Sequence, residues 1–336
     1  VVEVGAGVTR VKVGDRVCPC FNQAWIGGEP DLERLTRTLG GPIDGTMAEL
    51  MCLPAEGVVR VPAYLTDEQA ATLPCAALTA WSAIFTYDRL GPGSQVLVQG
   101  TGGVALFALA YAKLAGCHVT VISSTDEKLA RAKALGADAG INYTATPEWS
   151  KATREITGGR GYDHIVELGG EKTLPQSLRA IRPGGTISMI GVLSGSMLSA
   201  PLGLVVTRQV RLQGITVGSR DGFEAMMRAL EQHRVVPVID RVYAFEELKE
   251  AMAHLTRGLE LVAQLPPDAE QMGLELELQI ALGTVLVTVV GYGSPRVERA
   301  FARARELCRS LGDPPQLIPA LLGQALFSLM RGDMDS

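Results

Sequence analysis

The glycine-rich segment at residues 100–105 has the spacing that binds a phosphate group. It follows an apolar run at residues 94–100 and precedes a helical pattern. Gly100 permits a tight turn, Gly102 lets a pyrophosphate approach the backbone, and the small Ala105 lets the helix pack close to the strand. The N–H groups at the start of the helix then face the phosphates. A tight strand–helix turn without a ligand is the alternative, and the flanking pattern favours binding. The predicted cofactor-binding residues of this turn are Gly100, Thr101, Gly102, Gly103 and Val104.

The end of the next predicted strand indicates which dinucleotide is bound. Sites for NAD place Asp or Glu there, where it accepts hydrogen bonds from the ribose 2′-hydroxyl. Here Ser123 and Ser124 hold that place, and Lys128 follows one helical turn later. Hydroxyl groups and a lysine would bind a 2′-phosphate, which an acid would repel, so the pattern favours NADP(H). Two alternatives stay open: residues 124–127 also fit a helix capping box, and Asp126 would suit a 2′-hydroxyl.

Other strand ends supply further candidate cofactor contacts. Ligands bind at the carboxyl ends of parallel strands, where the chain leaves the sheet. The glycines at these ends also fit ordinary turns that bind nothing. The candidates are Asn142, Tyr143, Leu168, Gly169, Gly170, Ile190, Gly191 and Val192.

The elements that carry these residues alternate between strands and helices. Between residues 91 and 215, continuous apolar runs alternate with helical patterns, which indicates a parallel sheet buried on both faces. The right-handed crossover rule makes this a doubly wound unit. Residues 1–62 show short alternating runs typical of β-strands. Predicted strands cover residues 11–17, 57–62, 94–100, 118–123, 141–143, 164–170, 186–192, 210–218 and 238–245, and predicted helices cover 31–39, 76–87, 103–115, 126–135, 148–157, 173–181, 221–233 and 246–256.

Composition and charge exclude several classes of protein. The chain has 336 residues, 47% of them hydrophobic and 20% charged, with a net charge of −5, as expected of a globular chain. It has no basic stripe for nucleic acid, no signal peptide, and an apolar stretch at 280–290 that is too short to span a bilayer. Its six cysteines form no paired framework, which suits a reducing compartment. We predict a cytoplasmic protein without nucleic-acid or membrane partners.

Longer segments resemble the medium-chain dehydrogenase/reductase superfamily, in particular its zinc-type NAD(P)-dependent alcohol dehydrogenases and quinone oxidoreductases. The opening VEVGAGVTRVKVGDRV is similar to the hairpin of the superfamily's GroES-like domain, and ATLPCAALTAW is similar to its hinge helix. The segments GTGGVALFALAYAKLAG, SSTDEKLARAKALGAD, ITGGRGYDHIVELGG and SLRAIRPGGTISMIGVLSG carry the resemblance onward. It implies an α/β fold with a Rossmann doubly wound parallel sheet, a partial GroES-like β domain and a C-terminal α-helical tail.

The resemblance also implies four parts along the chain. These are a partial GroES-like catalytic domain with the hinge helix at 1–90, a Rossmann NAD(P)-binding domain at 91–215, a return segment at 216–257 and a helical tail at 258–336. The first half of the GroES-like domain would precede Val1, so we expect an N-terminally truncated member.

The tail resembles the tetratricopeptide-type repeats of bacterial signalling ATPases linked to cyclase domains. Tyr292, Ala300, Ala304 and Leu307 give the spacing of such repeats. A generic amphipathic helical hairpin is the alternative, because the tail is long enough for only about two repeats. Either structure would offer an apolar face to a protein partner.

Two residues of the hinge helix match positions with known roles in the family. Cys75 matches the third ligand of a catalytic zinc, whose first two ligands would precede Val1. One thiolate cannot hold zinc, and Cys18-Pro-Cys20 is not a four-cysteine structural lobe. We therefore expect no zinc and a buried, inert Cys75 thiol. Thr79 matches a residue that contacts the nicotinamide and relays a proton.

The resemblance implies an NADP(H)-dependent oxidoreductase that moves a hydride between nicotinamide and a carbonyl, enone or quinone substrate. The cofactor supplies the chemistry, and the protein orients it. The alternative is an inactive NADP(H)-binding fusion protein with a helical interaction tail. By family analogy, pairing of Rossmann-sheet edges would form a homo-oligomer.

Overall fold

The computed structural model describes residues 1–88, 90–191, 200–244, 259, 271–272, 275–276, 278–280, 282–283, 286 and 295–311. The chain divides into two compact units, Val1–Pro30 with Leu53–Ile239 and Asp31–Cys52 with Asp240–Ser336. All candidate site residues lie in the first unit, and among them only Val192 is outside the described residues. The four-part division given above stays a prediction.

The described strands and helices follow the alternation expected from the sequence. The strands are β1 (Val17–Pro19), β2 (Val58–Arg60), β3 (Gln95–Gln99), β4 (His118–Ser123), β5 (Ala139–Asn142), β6 (Tyr162–Glu167), β7 (Ile181–Met189) and β8 (Arg211–Gly214). The helices are α1 (Leu32–Thr36), α2 (Asp67–Ala71), α3 (Leu78–Trp81), α4 (Gly103–Leu114), α5 (Asp126–Ala134), α6 (Trp149–Ile156), α7 (Leu174–Ala180), α8 (Leu202–Thr207), α9 (Arg220–His233) and α10 (Pro295–Ser310).

The strands β1 and β2 pair antiparallel and are shorter than predicted. The first of the predicted strands, at 11–17, begins only at Val17, because Gly14 has a φ of +90°, which lies outside the extended region. The carboxylate of Asp15 then accepts a hydrogen bond from the backbone N–H of Lys12 at 3.1 Å. This local turn replaces the strand pairing that the alternating sequence predicts.

The segment we call the hinge helix is one helical stretch of three parts. A π-helical turn at Leu73–Ala77 leads into α3, and a second π-helical turn at Ser82–Thr86 ends the stretch. It begins earlier than the predicted start at residue 76, because Pro74 is tolerated in a first helical turn. Its inward face is fully buried, including Leu73, Leu78 and Ile84.

The strands β3 to β8 form a parallel sheet in the order β5-β4-β3-β6-β7-β8 among the described residues. Counted along the chain from β3, this is the 3-2-1-4-5-6 order of a dinucleotide-binding sheet. The strand order reverses between β3 and β6. Ligands bind at such a switch point, outside the carboxyl ends of the strands. The predicted doubly wound α/β class is confirmed.

Alternate residues of β3 belong to two different cores. Val96 and Val98 pack in a cluster that includes Phe107 of α4, whereas Leu97 packs in a cluster that includes Leu178 of α7. Every residue of β6 is buried as well. Burial on both faces explains why these strands appear in the sequence as continuous apolar runs.

Three further predicted elements differ from the structure. The residues 182–185, predicted as a turn, belong to β7. The predicted strand at 210–218 is shortened to β8, because Val217 has a φ of +54° and leaves the extended region. The strand predicted at 238–245 is wrong over its described residues, which form no strand, because Val238 and Val242 have no buried face and are 50% and 63% exposed.

The second unit contains α1 and α10 among its described elements. The buried residues Ala304 and Leu307 of α10 cluster with Leu276, and Ala300 clusters with Phe301. The predicted apolar face of this helix is therefore buried, while Tyr292, the predicted helix at 246–256 and nearly all of 284–290 lie outside the described residues. Within the described ranges, each helix is too short or too polar to cross a membrane.

Candidate functional site

The glycine turn between β3 and α4 leaves an open helix N-terminus. Gly100 has a φ of +80°, and its N–H donates to the carbonyl of Ile122 in β4 at 2.7 Å. Gly102 is the N-cap of α4, and no side chain caps the helix. A Cβ added at Gly100 or Gly102 would meet nothing within 4 Å. The first N–H groups of α4 therefore have no side-chain cap and can receive an anion.

The neighbouring residues of this turn pack tightly on their other side. Ala105 is 1% exposed, as its predicted packing role requires. A Cβ at Gly103 would lie 3.5 Å from the Cβ of Ala76, so the start of the hinge helix lies directly beside the turn. The structure thus brings the segment that carries Cys75 and Thr79 next to the predicted phosphate site.

The two serines at the end of β4, Ser123 and Ser124, differ in burial and in hydrogen-bond partners. Ser123 is only 2% exposed, and its hydroxyl hydrogen-bonds with that of Thr101 at 3.3 Å. It therefore ties the strand end to the glycine turn. Ser124 is more exposed, and its Oγ accepts a hydrogen bond from Lys128 Nζ at 3.5 Å. Ser124 and Lys128 form a polar pair at the surface.

The capping box predicted at residues 124–127 is wrong by one residue. The N-cap of α5 is Thr125, whose hydroxyl accepts from the backbone N–H of Lys128. Ser124 instead follows the last residue of β4, and its carbonyl accepts a hydrogen bond from Thr144 Oγ1 at 3.1 Å. The Ser124 hydroxyl therefore does not cap the backbone of α5.

The predicted residues at the end of β5 lie beside this pair. Asn142 Nδ2 donates to Asp126 Oδ1 at 3.1 Å, and Asn142 Oδ1 accepts from the backbone N–H of Thr144 at 3.0 Å. Tyr143 is 42% exposed. The side chain of Asp126, the candidate partner for a 2′-hydroxyl, is thus already engaged by an amide.

The ends of β6 and β7 meet at a close backbone contact. A Cβ at Gly191 would lie 1.9 Å from the carbonyl oxygen of Leu168, so only glycine fits there. The backbone N–H groups of Ile190 and Gly191 donate to the carbonyl of Glu167 at 3.0 and 3.2 Å. Gly170 has a φ of +96° and turns the chain after β6.

A buried carboxylate at the end of β6 was not among the predicted residues. Glu167 is 0% exposed and accepts a hydrogen bond from Gln99 Nε2 at 2.6 Å. Gln99 is the last residue of β3 and directly precedes Gly100. The available sequence signal was one acid within the apolar run HIVELGG, because a buried strand tolerates a carboxylate only where donors surround it.

A second buried polar chain also escaped the sequence analysis. His164 Nδ1 lies 2.7 Å from Asp88 Oδ2, and Ser188 Oγ lies 3.0 Å from His164 Nε2. This order resembles that of a hydrolytic triad, but His164 and Ser188 are both 0% exposed and cannot meet a substrate. These two hydrogen bonds instead connect Asp88, which follows the hinge helix, to β6 and β7.

The hinge helix places Cys75 and Thr79 one turn apart. Thr79 is 5% exposed, and its hydroxyl donates to the carbonyl of Cys75 at 2.7 Å. The Cys75 residue itself is exposed, so the expectation of a buried thiol is wrong: the inward face of the turn is filled by Leu73 and Ala77 instead. Desolvation nevertheless raises the pKa of the Cys75 thiol, and the contact with Thr79 offsets only part of this.

Two family models match the chain. Residues 1–63 match the alcohol dehydrogenase GroES-like domain, and residues 103–232 match the zinc-binding dehydrogenase model. The second match begins at the glycine turn and ends within α9. The two models cover the segments that carry β1, β2 and most of the parallel sheet.

Curated and solved proteins are similar over about three quarters of the chain. Zinc-type alcohol dehydrogenase-like protein C1773.06c of Schizosaccharomyces pombe is 43% identical over 255 residues, which cover 74% of this chain and 74% of that protein. A solved structure from Sinorhizobium meliloti 1021, described as an alcohol dehydrogenase, is 46% identical with a TM-score of 0.71 and covers 76% of each chain. A solved NAD-dependent alcohol dehydrogenase is 33% identical with a TM-score of 0.66, covering 77% of this chain and 76% of that one.

An uncapped glycine turn at the switch point of a doubly wound parallel sheet defines a dinucleotide-binding α/β protein. Together with these similarities, it shows that the chain belongs to the zinc-type alcohol dehydrogenase-like family of the medium-chain dehydrogenase/reductase superfamily. The predicted GroES-like and Rossmann-like fold class and the predicted enzyme class, an NAD(P)-dependent oxidoreductase, are confirmed at the level of the family.

The donor set of the described residues does not fit the zinc that the family name implies. No group of three or more His, Cys, Asp or Glu side chains among them could hold a metal ion. All six cysteines are free thiols, and burial raises the pKa of Cys18 to about 11 and that of Cys20 to about 12.

Proposed function

We propose that the first unit binds NADP(H) across the carboxyl ends of its parallel sheet and catalyses hydride transfer to or from a carbonyl, enone or quinone substrate. The observation that carries this proposal is the open N-terminus of α4 at the switch point between β3 and β6. When bound, the nicotinamide supplies or accepts the hydride. The roles of the protein groups follow from their positions around that turn.

The first role is to hold the pyrophosphate. The backbone N–H groups at Gly103 and Val104 would donate to its oxygens, and Gly100 and Gly102 leave the space that the phosphates need. Thr101, which hydrogen-bonds with Ser123, fixes the turn. The positive end of the α4 dipole adds to the attraction for the negative charge.

The second role is to select the dinucleotide at the ends of β4 and β5. The half-buried Ser124 and the exposed Lys128 would bind a 2′-phosphate, whereas Asp126 is held by Asn142. The name of one relative says that it depends on NAD, so preference for NADP(H) rests on these side chains of the present chain. Tyr143, exposed beside Asn142, would border the adenosine half.

The third role belongs to the residues near the nicotinamide half. Leu168, Gly169, Gly170, Ile190 and Gly191 would line that half of the site, with Val192 following outside the described residues. Thr79 would contact the nicotinamide, because the oxygen of its hydroxyl can still accept a hydrogen bond while its proton faces Cys75 O. The family resemblance implies that Thr79 relays a proton, for which its hydroxyl would have to turn from Cys75 O to an acceptor on the bound substrate. Cys75 would border the same space.

Ligand titration with a matched pair of variants tests this proposal. Gly102→Asp would place a carboxylate where the pyrophosphate must approach, and the free space there lets the variant fold. We expect NADPH to quench the tryptophan fluorescence of the wild type and to oxidise in the presence of an aldehyde, enone or quinone from a panel. We expect Gly102→Asp to lose at least about tenfold in NADPH affinity through repulsion and lost contacts.

The matched control is Gly203→Asp, which alters another exposed glycine with free space at a helix start. It should bind NADPH like the wild type. Absence of NADPH and NADH binding by the wild type would refute the proposal. Binding without turnover on any substrate of the panel would refute its catalytic part and favour the alternative of a binding protein without activity.

The preference for NADP(H) is tested on α5. Lys128→Gln should weaken NADPH binding about tenfold, because a charge-assisted contact to the 2′-phosphate is lost, and should leave NADH binding within about twofold of wild type. Lys133→Gln, the same change further along the same helix, serves as the control. An equal loss for both dinucleotides in Lys128→Gln would contradict the assigned preference. Calorimetric titration measures all six affinities, those of the wild type and the two variants for NADPH and NADH.

The remaining predictions concern assembly and the tail. Pairing of Rossmann-sheet edges into a homo-oligomer, a tetratricopeptide-like tail and a protein partner for that tail all stay predictions. The exposed residues of the edge strand β8 are compatible with pairing to a second copy.

A further inference from the structure

Glu167 is the centre of a buried hydrogen-bond network at the switch point. Its carboxylate lies at the end of β6, and its neighbour Gln99 lies at the end of β3. It is 0% exposed. Five groups donate to its two oxygens: Gln99 Nε2, Thr173 Oγ1, Ser177 Oγ, and the backbone N–H groups of Gly169 and Gly170.

The groups around Glu167 suit its role as a hydrogen-bond acceptor. Gln99 Nε2 and the two backbone N–H groups can only donate, and the hydroxyls of Thr173 and Ser177 donate to the carboxylate as well. Gln99 is oriented by the same network, since its Oε1 accepts from the backbone N–H groups of Leu168 and Gly169 at 3.2 and 3.1 Å. These contacts fix the orientation of the Glu167 side chain.

The network fixes the backbone that leaves two strands. The N–H groups of Gly169 and Gly170 point to the carboxylate at 3.0 and 3.1 Å, which sets the turn after β6. The carbonyl of Glu167 accepts hydrogen bonds from the backbone N–H groups of Ile190 and Gly191, which follow β7. Through Gln99, the same group reaches the residue that directly precedes the glycine turn.

The sheet order separates these residues from the adenosine half of the site. The strands β4 and β5 lie on one side of β3, and β6 and β7 lie on the other. A dinucleotide that crosses the switch point with its 2′-ribose position at the end of β4 must extend its other half toward β6 and β7. Glu167 therefore lies under the nicotinamide half.

We propose that Glu167 is a positioning residue that shapes the turns at 168–170 and 190–191 for the nicotinamide half of the dinucleotide. It acts through backbone N–H groups and Gln99 and does not itself contact the cofactor. The proposal rests on the proposed function, because it assumes that NADP(H) binds at this edge of the sheet.

The same pair of strands contains a matched control. Asp163 lies at the other end of β6, is 8% exposed, and accepts from the backbone N–H of Gln95, the first residue of β3, at 2.8 Å. It also accepts from Arg160 and Arg182. A buried carboxylate thus connects β3 and β6 at each end of this strand pair. Of the two, only Glu167 lies where the strands end, at the edge of the sheet that carries the candidate site.

The test compares two ligands on two variants by calorimetric titration. NADPH occupies the whole site, whereas adenosine 2′,5′-bisphosphate occupies only the adenosine half. In Glu167→Gln, one donor group replaces an acceptor oxygen, so we expect NADPH affinity to fall about tenfold while the bisphosphate stays within about twofold of wild type. Asp163→Asn should leave both affinities within about twofold, because its site is at the opposite edge.

Three outcomes would overturn the proposal. An equal loss of affinity for both ligands in Glu167→Gln would show a structural role alone, and unchanged NADPH affinity would leave Glu167 without a positioning role. A wild type that binds the bisphosphate but gains nothing from the nicotinamide half would refute it as well. A wild type that binds neither NADPH nor NADH refutes the proposed function first, which distinguishes the two failures.

A second variant pair keeps the test valid if Glu167→Gln does not fold. Thr173→Val removes one hydroxyl donor to Glu167 and keeps the shape of the side chain. It should reduce NADPH affinity about threefold with no change for the bisphosphate, and Thr173→Ser should restore wild-type affinity because it restores the donor. Equal NADPH affinities for the valine and serine variants would contradict the proposal.

Discussion

Asp163 and Glu167 illustrate at the scale of single residues how a buried strand tolerates charge. Both carboxylates lie in β6, and each accepts hydrogen bonds from a neighbour in β3. Burial alone would favour the neutral form of a carboxyl group. For Asp163 the surrounding donors reverse that preference, so this residue stabilises the fold only while it remains ionised.

The pH dependence of stability follows for Asp163. Burial raises the pKa of its carboxyl, but hydrogen bonds from Gln95 N–H and Arg182 and the charges of Arg160 and Arg182 outweigh burial, so the pKa is lowered. A group whose pKa is lowered by folding contributes stability above its unfolded value and loses it as the pH falls. Asp163 therefore stabilises the native state at neutral pH.

We expect Asp163→Asn to lower the free energy of unfolding at pH 7 by about 2 kcal/mol, because buried donors lose their charged acceptor. The difference from wild type should stay constant down to about pH 5 and shrink below about pH 4, as the wild-type carboxyl becomes protonated. Urea unfolding followed by circular dichroism at a series of pH values measures this. A difference that grew on acidification would contradict the assignment.

At the scale of elements, the start of α5 decides how the candidate 2′-phosphate site is built. The helix is capped by Thr125, one residue later than the sequence suggests. Capping therefore does not compete for the hydroxyl of Ser124, which contacts Lys128. Because the N-cap lies one residue later than predicted, the Ser124 hydroxyl is available to bind a ligand instead of capping the helix.

Two alanine substitutions separate these roles. Thr125→Ala should lower stability by about 1 kcal/mol, because it removes the N-cap. Ser124→Ala should change stability by less than about 0.5 kcal/mol, because the half-buried Ser124 neither caps the helix nor belongs to the core. Shifts of the urea midpoint measure both. If Ser124→Ala proved the more destabilising change, the N-cap would have to be Ser124.

At the scale of the whole first unit, the order of the strands brings the candidate site together. The residues after β3, β4, β5, β6 and β7 are far apart in the sequence, and the parallel sheet places all of these strand ends at one edge. The position of β3 beside both β4 and β6 creates the switch point. The hinge helix then brings the segment of Cys75 and Thr79 to the same edge, beside Gly103.

The sequence by itself determined the alternation of strands and helices, the glycine turn and the family. These depend on local spacing: apolar runs mark buried strands, and Gly100, Gly102 and Ala105 mark a phosphate turn wherever they follow such a run. Most of the predicted elements from β3 to α7 therefore agree with the structure to within a few residues.

Only the tertiary structure decided which polar groups meet. The partners Gln99 and Glu167, and likewise Asp88, His164 and Ser188, are separated by long stretches of chain, so no local pattern could pair them. The exposure of Cys75, the burial of Ser123 and the absence of a described strand at 238–244 also depend on what packs nearby. Spacing predicts an element, but the environment of a side chain is set by contacts between elements.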